Sequence, residues 1–143
     1  MIIPDVNVLV YAHRADAHDH VRYREWLEHT VNQPATFGIP SLVCSGFLRV
    51  VTHPRIFDPP TAPAVALRQI ERLRTRPNFA PIEPGERHWR IFVDLCADGA
   101  AKGNLVADAY LAAIAIEAGG RWATTDRDFA RFPGLDWVHP LAA

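Results

Sequence analysis

Lysine is almost missing from this chain: Lys102 is the one lysine beside 14 arginines. Receiver domains place a lysine on the phosphate of an aspartyl-phosphate, and Lys102, in a glycine-rich loop, does not fit that part. Cysteine is scarce as well. Cys44 and Cys96 make no CxxC pair and no Cys/His cluster, so the expectation is buried thiols in a reducing compartment, the cytoplasm, and not a disulfide framework. Transmembrane-length apolar runs and low-complexity tracts are absent, which sets aside membrane-spanning and disordered classes. The start, Met1-Ile2-Ile3-Pro4, is strand-like and lacks the basic and apolar regions of a signal peptide. A basic surplus is missing too. A net charge of -1 argues against indiscriminate nucleic-acid binding, although arginine suits bidentate phosphate contacts and leaves a local phosphate-binding face open. GxSxG, GxGxxG, P-loop and HExxH patterns are absent. His18-Asp19-His20 is a poor transition-metal site, because side chains at i and i+2 of a helix start do not face each other. His53 and His139 read as structural or solvent-facing.

What is present describes one domain over residues 1–143, long enough to bury roughly two-thirds of its unfolded surface. Short apolar runs at Ile2–Asp5, Phe37–Ile39, Phe79–Ile82, Trp122–Thr124 and Asp136–Val138 read as strands. Helical periodicity marks segments from Asn7, His20–Val31, from Ser41 to Pro54, Ala64–Arg76 on Val65, Leu67, Ile70 and Leu73, Glu86–Ala97, and Leu105–Ala118 capped by Asn104. Strands alternating with helices predict an α/β fold, a sandwich with a mainly parallel central sheet flanked by helices. Phe37, Phe47, Trp89, Phe92 and Trp122 are expected in the core.

Four aspartates stand beside these apolar runs. Asp5 ends the first strand, Asp126 and Asp128 follow the fourth, and Asp108 is expected in the first turn of the most apolar helix. In such a sheet, strand C-termini and helix N-termini meet along one edge, where sites are built. Helix dipoles supply only about 0.3–1 kcal/mol per charge, too little to hold four carboxylates together. A hard divalent cation, Mg²⁺ or Mn²⁺, is the expected partner. Asp5, Asp108 and Asp126 are the candidate ligands, with Asp128 as ligand or proton acceptor. Asn7 and Thr125 are candidates for orienting a carboxylate or a metal-bound water. Arg49 is a candidate for contact with a site carboxylate, the substrate or a protein partner. Taken singly, Asp5 or Asp108 reads as a helix cap and Asp126-Arg127-Asp128 as a turn. Arg68, Arg72 and Arg76, with Arg74 nearby, form a stripe that is either a solvated face or a phosphate- or partner-contacting one.

Asp5-Val6-Asn7, the run from Phe47 to Arg55, Asp108-Ala109-Tyr110-Leu111-Ala112-Ala113, and Thr125-Asp126-Arg127-Asp128-Phe129 resemble the PIN-domain ribonucleases, in particular the VapC-type toxins of bacterial toxin-antitoxin pairs. The resemblance runs from Met1 to Leu141. It implies a PIN-like three-layer sandwich and a Mg²⁺- or Mn²⁺-dependent endoribonuclease that cuts RNA of the translation machinery, tRNA or rRNA. It also implies a homodimer and neutralisation by a small cognate VapB-type antitoxin. Asp5, Asp108 and Asp126 match the family's metal-site acids, and Asp128 a further acid that many members carry. One departure stands out: the family's glutamate before Phe-Leu-Arg-Val is replaced here by Cys44-Ser45-Gly46. That leaves one ion as the expectation, with Glu25 or Asp128 as a substitute acid. A catalytically weak or inactive domain that binds RNA or protein is the alternative. Tyr23 and Trp26 are candidates for a dimer or antitoxin groove.

Overall fold

The computed structural model describes residues 1–142; Ala143, the last residue of the expected single domain, lies outside the described residues. Ile2–Pro4 forms β1, which occupies the centre of a five-stranded sheet, with its Ile3 fully buried as the helix-covered faces of a parallel sheet require. Phe37–Gly38 is β2, Phe79–Ala80 is β3, Arg121–Ala123 is β4 and Trp137–Val138 is β5. The order is β3-β2-β1-β4-β5 and every pairing is parallel. Ile2 lies opposite Phe37 on one side, while Ile2, Ile3 and Pro4 lie opposite Arg121, Trp122 and Ala123 on the other.

Among the described residues six α-helices connect the strands: α1 (Val6–His13), α2 (His20–Asn32), α3 (Ser41–Val51), α4 (Pro63–Arg74), α5 (His88–Asp98) and α6 (Asn104–Ala118). A 3₁₀ helix, Arg127–Arg131, follows β4. Right-handed crossovers put α1–α4 on one face and α5–α6 on the other. The packing agrees, with α1 against α2 and α3, α3 against α4, and α5 against α6. The core between these layers holds Trp122, Phe37, Phe47, Phe129, Ile3, Ile39 and Ile114, all at most 2% exposed. Among the described residues no helix is long and apolar enough to cross a membrane.

Four local expectations are corrected. The buried face of α4 is Ala66, Ile70 and Leu73, whereas Val65 and Leu67 point to solvent. Its C-terminal end comes at Arg74, because Arg76 turns away and donates to the Val31 carbonyl at 3.0 Å and to the Asn32 amide oxygen, closing the end of α2. Trp89 is 68% exposed, so it is no core residue. Tyr23 is the reverse case: it is buried against Tyr11, ring centroids 5.1 Å apart, and offers little to a partner.

Gly38 marks the tightest point of the sheet. A Cβ there would lie 2.0 Å from Ile82 Cδ1 and 2.9 Å from the Ala80 carbonyl oxygen, and the latter is backbone that cannot step aside. Gly38→Ala is expected to cost about 1–3 kcal/mol by overpacking, seen in urea as a lower midpoint with an unchanged slope. A midpoint equal to wild type would show that β2 and Ile82 yield.

Candidate active site

The site grows from the chain crossing at the centre of the sheet. Strand order reverses at β1, with β2 on one side and β4 on the other, so the crevice beyond β1 and β4 is a topological switch point. Asp5 is the residue that leaves β1 there. Its backbone is extended, its Oδ1 accepts the Val6 N–H at 2.7 Å as the cap of α1, and its Oδ2 accepts the Thr124 hydroxyl at 2.7 Å. Its own N–H donates to the Ala123 carbonyl at 2.9 Å. The Thr124 oxygen accepts the Asp126 N–H at 3.1 Å, and Asp126 Oδ1 accepts the Asp128 N–H at 2.9 Å, capping the 3₁₀ helix. One relay thus ties the ends of β1 and β4 together and orients two carboxylates.

Asp5 is 7% exposed and Thr124 fully buried. Burial pushes the Asp5 carboxyl above its ordinary value, the Thr124 and Val6 hydrogen bonds pull it back, and the Asp126 charge pushes it up again. Asp108 is half-buried on α6, with a pKa pushed up to about 6. Burial is the largest cause, followed by the charges of Asp126, Asp5 and Asp128, with Arg131 the opposing cation. All four predicted aspartates therefore share one electrostatic site. Asp108 lies in the second turn of α6, not the first, because the helix starts at Asn104 itself after Gly103 at φ 60°, and Asn104 caps nothing.

The other predicted residues fare differently. Asn7 is exposed and Thr125 half-buried, and neither side chain forms a hydrogen bond among the described residues; the orienting hydroxyl belongs to Thr124. Arg49 is exposed in the last turn of α3 and pairs with no acid among the described residues. Arg131, missed in the sequence, is the cation that Asp108 senses. Glu25 is exposed on α2 and does not act on Asp108. Among the described residues, α3 itself presents no acid at the positions of the family's glutamate, and Asp128 is the candidate substitute that acts on Asp108. Cys44 is buried, Ser45 is exposed, and a Cβ on Gly46 would lie 2.7 Å from Val6 Cγ2, because α3 packs closely on α1. Glu83 is nearby in the groove described next, but its oxygens accept the Ser41 N–H and hydroxyl, both at 2.7 Å, at the start of α3.

Beside the acids runs an apolar groove of about 1040 Å³, with Val6, Leu42, Ser45, Phe92, Ala107 and Tyr110 in its wall. Val6 and Ala107 are the chain neighbours of Asp5 and Asp108, so groove and acids adjoin.

The donor set suits a hard cation in kind: among the described residues Asp108 spends no oxygen on a hydrogen bond, Asp126 keeps Oδ2 free, and each Asp5 oxygen retains a lone pair. The acids do not close into a cage. Among the described residues no three Asp, Glu, His or Cys stand close enough together to hold an ion, His18-Asp19-His20 included. This pattern suits Mg²⁺, which keeps several waters and takes one or two carboxylates together with substrate phosphates.

A family model for the PIN domain matches residues 2–135. Ribonuclease VapC43 of Mycobacterium tuberculosis is 48% identical over 141 residues, 99% of this chain and 96% of that relative. Ribonuclease VapC25 of the same organism is 39% identical over 140 residues, 98% and 99% of the two chains. Among solved structures, VapBC2 from Rickettsia felis bound to a promoter DNA fragment gives a TM-score of 0.70 at 20% identity, covering 96% of this chain and 98% of that one. A toxin-antitoxin complex from Klebsiella pneumoniae gives 0.66 at 18%, with both chains fully covered.

Two outcomes follow from this geometry. Thr124→Val leaves Asp5 Oδ2 and the Asp126 N–H without their partner and should cost about 1–3 kcal/mol of stability by chemical denaturation; a neutral result would dismiss the relay. For Asp108, the folded chain holds the proton more tightly than the unfolded one. Its contribution to stability is therefore full below about 3.8 and lost as pH rises through about 6. With chelator present, Asp108→Asn should remove that part of the decline in melting temperature between pH 4 and pH 7. Carbon NMR showing Asp108 titrating near 3.8 would contradict the shared field.

Proposed function

The chain belongs to the PIN-domain family, and on that premise we propose that it is a VapC-type endoribonuclease toxin of a toxin-antitoxin pair that hydrolyses RNA with Mg²⁺ or Mn²⁺. The observation that carries this reading is the Asp5–Thr124–Asp126 relay facing Asp108 at the switch point of the sheet. Asp5, Asp108 and Asp126 would border the ion, meeting it in part through its waters and the substrate phosphate; when bound it would stabilise charge on the scissile phosphate and lower the pKa of a bound water. Thr124 keeps Asp5 oriented through Oδ2, leaving the remaining lone pairs of the carboxylate for the ion and its waters. Asp128, exposed and held at its backbone by Asp126, accepts the proton of the attacking water at a carboxylate oxygen. The products are a 5'-phosphate and a 3'-hydroxyl.

The RNA of the translation machinery, tRNA or rRNA, is the proposed target, in the cytoplasm, and growth restraint the consequence. A small VapB-type antitoxin is the proposed partner, supported by the complexes that share this fold. A homodimer is proposed as well, with the apolar groove in its favour: Leu42 is 50% exposed and Val106 38%, a surface that water disfavours.

Cleavage of a tRNA and total-RNA pool is expected with Mg²⁺ or Mn²⁺ and not with EDTA. Asp5→Asn and Asp108→Asn should each slow it by at least about 100-fold. Equal cleavage by wild type and both variants would refute the site. RNA binding without cleavage under all conditions would move the chain to the inactive binding module.

A further inference from the structure

A second cavity, of about 660 Å³, opens between the C-terminal end of α1, one side of α2 and the C-terminal half of α4, and shares no residue with the acid site or its groove. Its wall carries His13, His20, Arg24, Arg72 and Arg76 against a single carboxylate, Glu28. The three arginines are permanent cations, gathered on one wall of a chain whose net charge is -1 with histidine neutral.

Three of the five are built in. His20 Nδ1 pairs with the Tyr11 carbonyl at 2.8 Å, His13 Nε2 with the Thr61 hydroxyl at 3.1 Å, and the Arg76 guanidinium is fixed on the end of α2. The other two have charge to spare. Arg24 meets Glu28 only at 3.8 Å with both side chains more than half exposed, and Arg72 forms no ion pair among the described residues. His13 is held below its ordinary pKa by burial first, then by the charges of Arg14 and His20, and the acid beside that arginine, Asp16, is paired with Arg14 at 2.7 Å.

We propose that this cavity is a phosphate-binding exosite that grips backbone phosphates of the RNA substrate away from the scissile bond, with Arg24 and Arg72 as the contacting cations. The proposal rests on the ribonuclease reading of the acid site. Guanidinium groups match phosphate oxygens in a bidentate fork, and contacts of this kind position an RNA without reading its sequence. Leu27, Val31 and Leu73 line part of this cavity, but its lining is more polar than apolar, which favours a phosphate backbone over a helical protein segment. An RNA spread over both sites would meet the acids through the ion and this cavity through its phosphates. That division lets a chain without a basic surplus hold a polyanion.

The test is binding of a labelled single-stranded oligoribonucleotide to the full-length protein in EDTA, across a series of salt concentrations. Arg24→Gln combined with Arg72→Gln should weaken binding roughly 10-fold at low salt. It should also lower the slope of log affinity against log salt by about 1.4, two phosphate contacts at about 0.7 each. The Arg24→Lys, Arg72→Lys pair keeps the charge and should restore the slope, which separates lost contact from lost fold. Unchanged affinity and slope in the glutamine pair would overturn the exosite. So would unchanged RNA binding accompanied by weaker binding of an acidic antitoxin, which would assign the cavity to protein. If wild type fails to cleave RNA yet the slope falls as stated, the ribonuclease reading fails and the exosite stands.

Discussion

A single hydroxyl, that of Thr124, is the constraint on which the site depends. It donates to the buried Asp5 carboxylate and accepts from the backbone of Asp126, so the two strand ends at the middle of the sheet cannot part without stranding a charge. A buried carboxylate with an unmade bond costs far more than the net value of the bond itself. The repulsion that Asp5, Asp126 and Asp128 exert on Asp108 is thereby borne by the fold. The strand layout serves the same end. An all-parallel sheet with β1 at its centre places Asp5 where the order reverses, and α6 brings Asp108 to the same edge.

The site is open. Gly46, where an acid would strike Val6, and Ser45, which faces the groove, leave α3 without a carboxylate for the centre. The acids that remain do not form a closed cage among the described residues. An ion that retains water and awaits phosphate oxygens suits such a place. The RNA would then be part of the site's completion, which ties ion affinity to substrate.

Much of this was legible in the residues. Alternating apolar runs and helix-breaking Pro and Gly gave the element order, and topology alone could place Asp5, Asp126 and Asp128 after strand ends and Asp108 near a helix start on the same edge. Thr124 was not found because the side-chain pattern of a three-residue strand does not say which neighbour strand it meets. Continuing the register of Pro4 opposite Ala123 sets Thr124 beside Asp5, but that register is a property of the folded sheet. Asn7, two residues after Asp5, is exposed and Thr125, beside Asp126, is half-buried, and neither side chain forms a hydrogen bond among the described residues. Arg131 was invisible, and the role of Arg76, though named in the arginine stripe, could not be read, since a 3₁₀ turn and a helix end two residues early decide where they point. Asn104 misled for a local reason: Gly103 at positive φ takes the cap position and Asn104 becomes the first helical residue.

The most direct measurement is an anomalous difference map from a Mn²⁺-soaked crystal. The account predicts one peak bordered by Asp5, Asp108 and Asp126, with the Thr124 hydroxyl still on Asp5. At saturating Mn²⁺, the absence of a peak there, or a peak only at other residues, would contradict it.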